Sequence, residues 1–150
     1  MQIKNRVVVV TGGGNGIGSA LCRRFAAEGA RAVVVADVQA EAAEQVAREI
    51  GGKAIAANVT REAEVVQLVE LVIKECGAID LFCSNAGVGA KGGVEAADEE
   101  WSRSWEVNVM AHVYAARAVL PHMLARHEGY LLQTVSAAGL LTQLGSAPTR

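Results

Sequence analysis

The stretch Thr11-Gly12-Gly13-Gly14-Asn15-Gly16-Ile17-Gly18 has the composition of a loop that holds phosphate. Glycine lets the main chain turn tightly and approach a ligand closely. A helix that starts on such a loop offers unpaired N–H groups and a partial positive charge to an anion. Asp37 stands nineteen residues beyond Gly18, where a carboxylate can accept from both hydroxyls of a ribose. Diphosphate on the loop and ribose on the acid together describe a dinucleotide. A Gly-Lys-Ser/Thr run is absent, so a P-loop is excluded. On these features alone a methyltransferase site stays open.

The acid also carries a preference. A 2'-phosphate would meet Asp37 at a few ångströms, with repulsion of up to about 4 kcal/mol at an effective dielectric near 20. No Lys or Arg follows Asp37 to offset that charge. Residues 11–37 therefore read as a site for NAD in preference to NADP.

The elements that must position these residues follow from local pattern. A run of valines at 7–10 predicts a buried strand leading directly into the glycine loop, and a helix follows over about 16–28, closed by Gly29. Strand and helix repeat at 32–36 and 40–50, Gly51-Gly52 breaks the chain, and a third strand follows at 53–57. Thr60 is placed to cap the next helix, which carries Glu62 and Glu64 in its first turn and runs to about Cys76. A fourth strand is expected at 79–84, a long helix at about 98–126 with Pro121 kinking its last turn, and a fifth strand at 130–135. Alternation of this kind predicts an α/β fold with a doubly wound parallel sheet, built as one domain over 1–150.

Composition narrows the partners. Half of the 150 residues are hydrophobic, a fifth are charged and the net charge is -2, without a Lys/Arg cluster. That leaves no electrostatic footprint for nucleic acid or an anionic membrane. No apolar run has the length of a membrane span and the first residues do not read as a signal segment, so a cytoplasmic protein is expected. Cys22, Cys76 and Cys83 have no metal or disulfide spacing and are expected as free core thiols. His112, His122 and His127 miss the i, i+4 spacing of a helical metal site, and no metal is expected.

After the fourth strand the chain reads Ser84-Asn85-Ala86-Gly87. Paired with Thr11-Gly12-xxx-Gly16-Ile17-Gly18, this resembles the short-chain dehydrogenase/reductase family, and the resemblance runs from about Val7 to Pro148. It implies a Rossmann-type sheet of about five strands in the order 3-2-1-4-5. NAD would be lined by Gly12, Asn15, Gly16, Ile17, Gly18, Asp37, Val38, Asn58, Val59, Asn85, Ala86 and Gly87. Asn58-Val59 matches the place where the family usually has Asp-Val, with the side chain accepting from the adenine amino group. Asn108 matches the asparagine whose main-chain carbonyl holds a relay water, and Ser136, expected directly after the fifth strand, matches the serine that polarises an alcohol or carbonyl substrate.

The resemblance also breaks at a definite point. The family's acid/base tyrosine, about thirteen positions after the serine, is replaced by Thr149, and the chain ends at Arg150 before the accompanying lysine. The reading is of a truncated NAD-dependent oxidoreductase with its C-terminal strands missing, inactive as this chain. The alternative is a non-catalytic NAD-binding or protein-interaction module. In either case strand five is expected as an exposed edge. The helix at 98–126 carries Trp101, Trp105, Val109, Val113 and Leu120 on one side, which reads either as a face for the missing parts of the fold or, as the resemblance implies, as a pairing surface for a second copy, and in both cases as exposed apolar surface in this chain.

Overall fold

A computed structural model of the chain describes residues 1–137 and 147–149. Five strands run in parallel in the order β3-β2-β1-β4-β5, as the family resemblance implies. They are β1 (Val7–Thr11), β2 (Ala32–Asp37), β3 (Lys53–Ala56), β4 (Leu81–Ser84) and β5 (Tyr130–Gln133). The central strand is four valines and a threonine, all buried. Branched side chains suit this position because the pleat sends alternate residues into opposite cores. Val7 and Val9 join one core, and Val8 and Val10 the other.

Each core has its own pair of helices. Helices α1 (Gly16–Ala27) and α2 (Ala40–Ile50) supply Cys22, Phe25, Ala43 and Val46 to one face. On the other, α3 (Glu62–Cys76) supplies Val65, Leu68, Val69 and Val72, and α5 (Ala111–Ala125) supplies Ala115, Val119 and Met123. Gly51 and Gly77 close α2 and α3 in the left-handed conformation, at φ 64° and 80°, where glycine carries no steric cost. Cys22, Cys76 and Cys83 are free and buried. Burial pushes the thiols of Cys22 and Cys83 up to about 12, so both stay protonated and serve as apolar packing.

Several expectations needed correction. The helix expected over 98–126 is three segments: α4 (Asp98–Trp105), a π turn (Glu106–Met110) and α5. The wider turn is marked by the Ala111 N–H donating to the Glu106 carbonyl, five residues back. Helix α5 continues through Pro121 to Ala125. Its sheet-facing row is Ala111, Ala115, Val119 and Met123, since small residues let a helix approach a sheet closely; the row at Trp101, Trp105, Val109, Val113 and Leu120 is exposed, as the sequence implied. Thr60 does not cap α3. Arg61 occupies the cap position without a side-chain bond, and Thr60 instead pairs with Asn58. Strand β5 stops at Gln133, so Ser136 lies three residues past its end rather than directly after it. Among the described residues β5 is an edge of the sheet, with Tyr130, Leu132 and Gln133 exposed. No helix among them is long and apolar enough to cross a membrane.

Candidate dinucleotide site

In a parallel sheet all C-terminal strand ends share one edge, and the site is assembled there. Thr11, buried, ends β1, and Gly12 turns the chain at φ 64°. A Cβ on Gly12 would lie 2.8 Å from Ala86 Cα, too close for any side chain. Gly18, in the first turn of α1, lies so close to the Gly12 carbonyl oxygen that a Cβ there would overlap it, and the same Cβ would stand 2.7 Å from Asn85 Nδ2. The Gly13 N–H donates to the Ala36 carbonyl at 3.0 Å, fixing the loop to β2. The result is a bare main-chain cradle at a helix start. Asn15 supplies no side-chain cap to α1, and the first turn holds no acid, an arrangement that can receive an anion.

Asp37 ends β2 beside this cradle. Its Oδ2 accepts from the Gly14 N–H at 2.9 Å and its Oδ1 from the Gln39 N–H at 3.0 Å. The carboxylate is thereby held against the loop. Ile17, in the first turn of α1, and Val38, next to Asp37 in the chain, are apolar and open to solvent, 65% and 67% exposed. Asn58 and Val59, half-buried, follow β3. Asn58 Oδ1 accepts from both the Thr60 N–H and the Thr60 hydroxyl, at 3.0 and 2.9 Å, and its main-chain N–H donates to Glu64 at 2.7 Å. That N–H bond is the main cause holding the Glu64 carboxyl below its usual range. An amide oxygen has two acceptor sites, so an adenine amino group at Asn58 would have to displace Thr60 from one of them.

Asn85 joins the strand ends. Its N–H and that of Ala86 both donate to Thr11 Oγ1, at 3.0 and 3.2 Å, and its Nδ2 donates to the Thr11 carbonyl at 3.1 Å. The Thr134 hydroxyl donates to Asn85 Oδ1 at 2.9 Å. One side chain therefore ties the ends of β1 and β4 to the segment beyond β5. Gly87 is exposed, and Val88 after it is bonded on both sides by one amide: Asn108 Oδ1 accepts from the Val88 N–H and Asn108 Nδ2 donates to the Val88 carbonyl, each at 2.9 Å. Ser104 Oγ accepts from the same Nδ2 at 3.1 Å. Asn108 sits in the middle of the π turn with its side chain spent on the loop, which leaves only its main chain to act on anything else. Ser136 is exposed at the same edge of the sheet.

Direct bonds thus join the glycine loop to Asp37 and to Asn85-Ala86, and Asn108 to the residue following Gly87. Thr11, Gly14, Ser104 and Thr134 also belong to this constellation although the sequence reading did not single them out as site residues. Thr11 and Gly14 lay inside the quoted motif and could have been assigned. Ser104 stands four residues before Asn108 on adjoining helical turns, a spacing that could have suggested the bond, whereas Thr134 acts across 49 residues and only tertiary contact reveals it. The Thr149 side chain and Arg150, on which the expected loss of the acid/base rests, lie outside the described residues.

A doubly wound parallel sheet whose glycine cradle opens at the C-terminal edge beside an acid on the neighbouring strand defines a dinucleotide-binding α/β protein. The model of the family described as short chain dehydrogenase matches residues 6–148, and the chain belongs to that family. Meso-2,3-butanediol dehydrogenase of Serratia marcescens is 38% identical over 151 residues, spanning 98% of this chain and 59% of the relative. The 1-deoxy-11-beta-hydroxypentalenate dehydrogenase of Streptomyces exfoliatus is 37% identical over 156 residues, spanning 98% and 56%. Among solved structures, 7 alpha-hydroxysteroid dehydrogenase complexed with NADH and 7-oxo glycochenodeoxycholic acid superposes with a TM-score of 0.88 at 30% identity, over 96% of this chain and 58% of that one. The chain spans somewhat over half the length of these relatives.

Proposed function

We propose that this chain is the NAD-binding part of an oxidoreductase that acts on a small alcohol or carbonyl compound. The observation that carries the reading is the Asp37 carboxylate, held by the Gly14 and Gln39 N–H groups beside the cradle of Gly12 and Gly18. The loop fits a diphosphate because the protein's own packing excludes side chains at Gly12 and Gly18 and leaves open space where a Gly16 Cβ would point, and the carboxylate fits an adenosine ribose because it accepts from a diol and repels a 2'-phosphate. When bound, the nicotinamide would supply or take up a hydride at the substrate carbon. The chain's own residues hold and orient. Gly12, Asn15, Gly16, Ile17 and Gly18 receive the diphosphate, Asp37 and Val38 the ribose, Asn58 and Val59 the adenine. Asn85, Ala86 and Gly87 form the wall nearer the reacting end. Ser136 would donate a hydrogen bond to the substrate oxygen, and the Asn108 main-chain carbonyl would hold a relay water.

Asp37→Ala tests the reading. It removes a charge-assisted ribose contact and the acceptor of the Gly14 and Gln39 N–H bonds that stiffen the loop, and hydrogen bonds to charged groups are worth about 1.5–3 kcal/mol. NAD affinity measured by calorimetry is expected to fall at least about tenfold, and discrimination against NADP to shrink. Unchanged preference would mean that the ribose lies elsewhere.

The apolar row on α4 and α5 is proposed as the pairing surface for a second copy. Trp105, 59% exposed, is its largest side chain in the open. Trp105→Glu is expected to shift the chain toward monomer in sedimentation, and identical sedimentation of both forms would count against pairing there.

A further inference from the structure

His112 lies four residues beyond Asn108, in the first turn of α5 where Asn108 is in the π turn before it, and its Nδ1 is 2.7 Å from Ser84 Oγ. Ser84 is buried at the end of β4, immediately before Asn85. Burial holds the imidazole below its ordinary pKa, so the ring is neutral at working pH. Four residues of regular α-helix overshoot a full turn by roughly 40°. The wider π turn takes up part of that rotation, and both side chains then face the same short loop. Asn108 grips Val88 at the far end, and His112 grips Ser84 at the near end.

We propose that the His112–Ser84 hydrogen bond is a positioning contact for the cofactor wall, clamping the Asn85–Gly87 segment at its strand end as Asn108 clamps it at its loop end. The reach of the clamp is short. Ser84 is covalently joined to Asn85, and the Ser84 carbonyl accepts from the Thr134 N–H at 3.1 Å while the Asn85 side chain accepts from the Thr134 hydroxyl. Loss of the imidazole contact frees the helix from β4 at the one point where β4 turns into the wall. The inference rests on the nicotinamide reading only for its effect on affinity; the positioning itself is read from the loop.

The test compares His112→Phe, His112→Asn and Ser84→Ala with the parent chain by two measurements. Amide hydrogen exchange at Asn85, Ala86 and Val88 reports the loop, and calorimetric titration with NAD reports the site. Phe keeps the volume and removes the ring nitrogens, whereas the Asn amide stands close to the place of Nδ1 and can restore the bond. A net hydrogen bond corresponds to about a fivefold change in an equilibrium constant. His112→Phe and Ser84→Ala are each expected to speed exchange at these amides and weaken NAD about fivefold, their double variant no more than either, and His112→Asn to recover most of the affinity. If His112→Phe does not fold, Ser84→Ala decides, because it removes only one oxygen. Exchange unchanged in Ser84→Ala overturns the proposal, as does full additivity in the double variant or failure of His112→Asn to rescue. If the parent chain binds no NAD, the nicotinamide reading fails, and the exchange rates still decide whether the contact positions the loop.

Discussion

Gly18→Ala is expected to abolish measurable NAD binding by breaking the loop itself, while the neighbouring Gly16→Ala leaves the fold largely intact. The difference comes from what each new methyl would meet. At Gly18 the added Cβ overlaps the Gly12 carbonyl oxygen and stands 2.7 Å from both the Gly12 carbonyl carbon and Asn85 Nδ2. Two of those atoms are main chain, and the third is anchored to the Thr11 carbonyl, so none can swing aside. Either the helix start moves away from the loop or the loop opens, and both destroy the cradle. Forcing atoms into a packed region costs typically 1–3 kcal/mol, and more where backbone must shift; about 3 kcal/mol is expected here. Gly16 has φ 52° with nothing within 4 Å of a built Cβ. Its replacement costs only left-handed strain, on the order of 1 kcal/mol. Titration with NAD and thermal unfolding of the two variants check both statements. Binding by Gly18→Ala at parental affinity would show that the helix start and loop do not form one rigid unit.

The largest effect on stability is expected at the opposite edge of the sheet, away from the cofactor. Asp80 is 4% exposed and stitches the start of the sheet together. Its Oδ2 accepts from the Val7 N–H at 2.8 Å, its main-chain N–H donates to the Val7 carbonyl, and its carbonyl accepts from the Tyr130 N–H. Arg126 donates to its Oδ1 at 2.8 Å, and Arg6 lies 3.7 Å away. Burial by itself raises the carboxyl, but the Arg126 bond, the Val7 N–H and the charges of Arg126 and Arg6 outweigh it and hold the group below its usual range. Asp80→Ala leaves the buried Val7 N–H without its carboxylate acceptor and takes the nearer carboxylate from Arg126, which keeps only the Ile79 carbonyl and Glu128 at 3.7 Å. Breaking a buried pair costs about 3–5 kcal/mol, and the partial exposure of the arginines places this case near 3. At 2–4 °C per kcal/mol for a chain of this size, Tm should fall by about 10 °C. The pH dependence follows from the depressed carboxyl. Its contribution is fully present above the unfolded value near 3.9 and is lost as pH falls through the lower folded value. The gap between parent and Asp80→Ala should thus be constant near neutrality and narrow below about pH 4. A gap that stays constant down to pH 2 would show that the ion pair contributes nothing.

Much of the site was legible because its parts are local. The glycine loop lies between a strand and a helix, and each element has a period or a punctuation mark that identifies it alone. Asp37 could be assigned a task from its distance along the chain to Gly18, because one strand-helix-strand unit brings the second strand end beside the first. Asn85-Ala86-Gly87 was legible only as a motif. Its physical duty, holding Thr11 and Thr134 together, depends on which strands are neighbours.

The errors share a cause. Thr60 has the residue type of a helix cap, yet two bonds to Asn58 compete for it, and the type alone cannot say which wins. The helix through 98–125 has a continuous helical pattern, and nothing in its composition marks the turn at Glu106–Met110 where one residue more is accommodated. Which row of it meets the sheet was equally hidden: the sheet takes the small residues, because a helix packs closest along alanine, and leaves the large apolar ones exposed.

The sequence by itself determined the alternation of strands and helices, the bare main chain of the phosphate cradle and the negative charge at Asp37, since these depend on residue type and short spacing. Tertiary structure decided which carbonyl Gly18 must fit against, that Asp80 rather than any site residue secures the sheet, and that Asn108 and His112 grip the two ends of one loop. Those are encounters between residues 6 to 73 positions apart, and only the packing of the sheet brings them together.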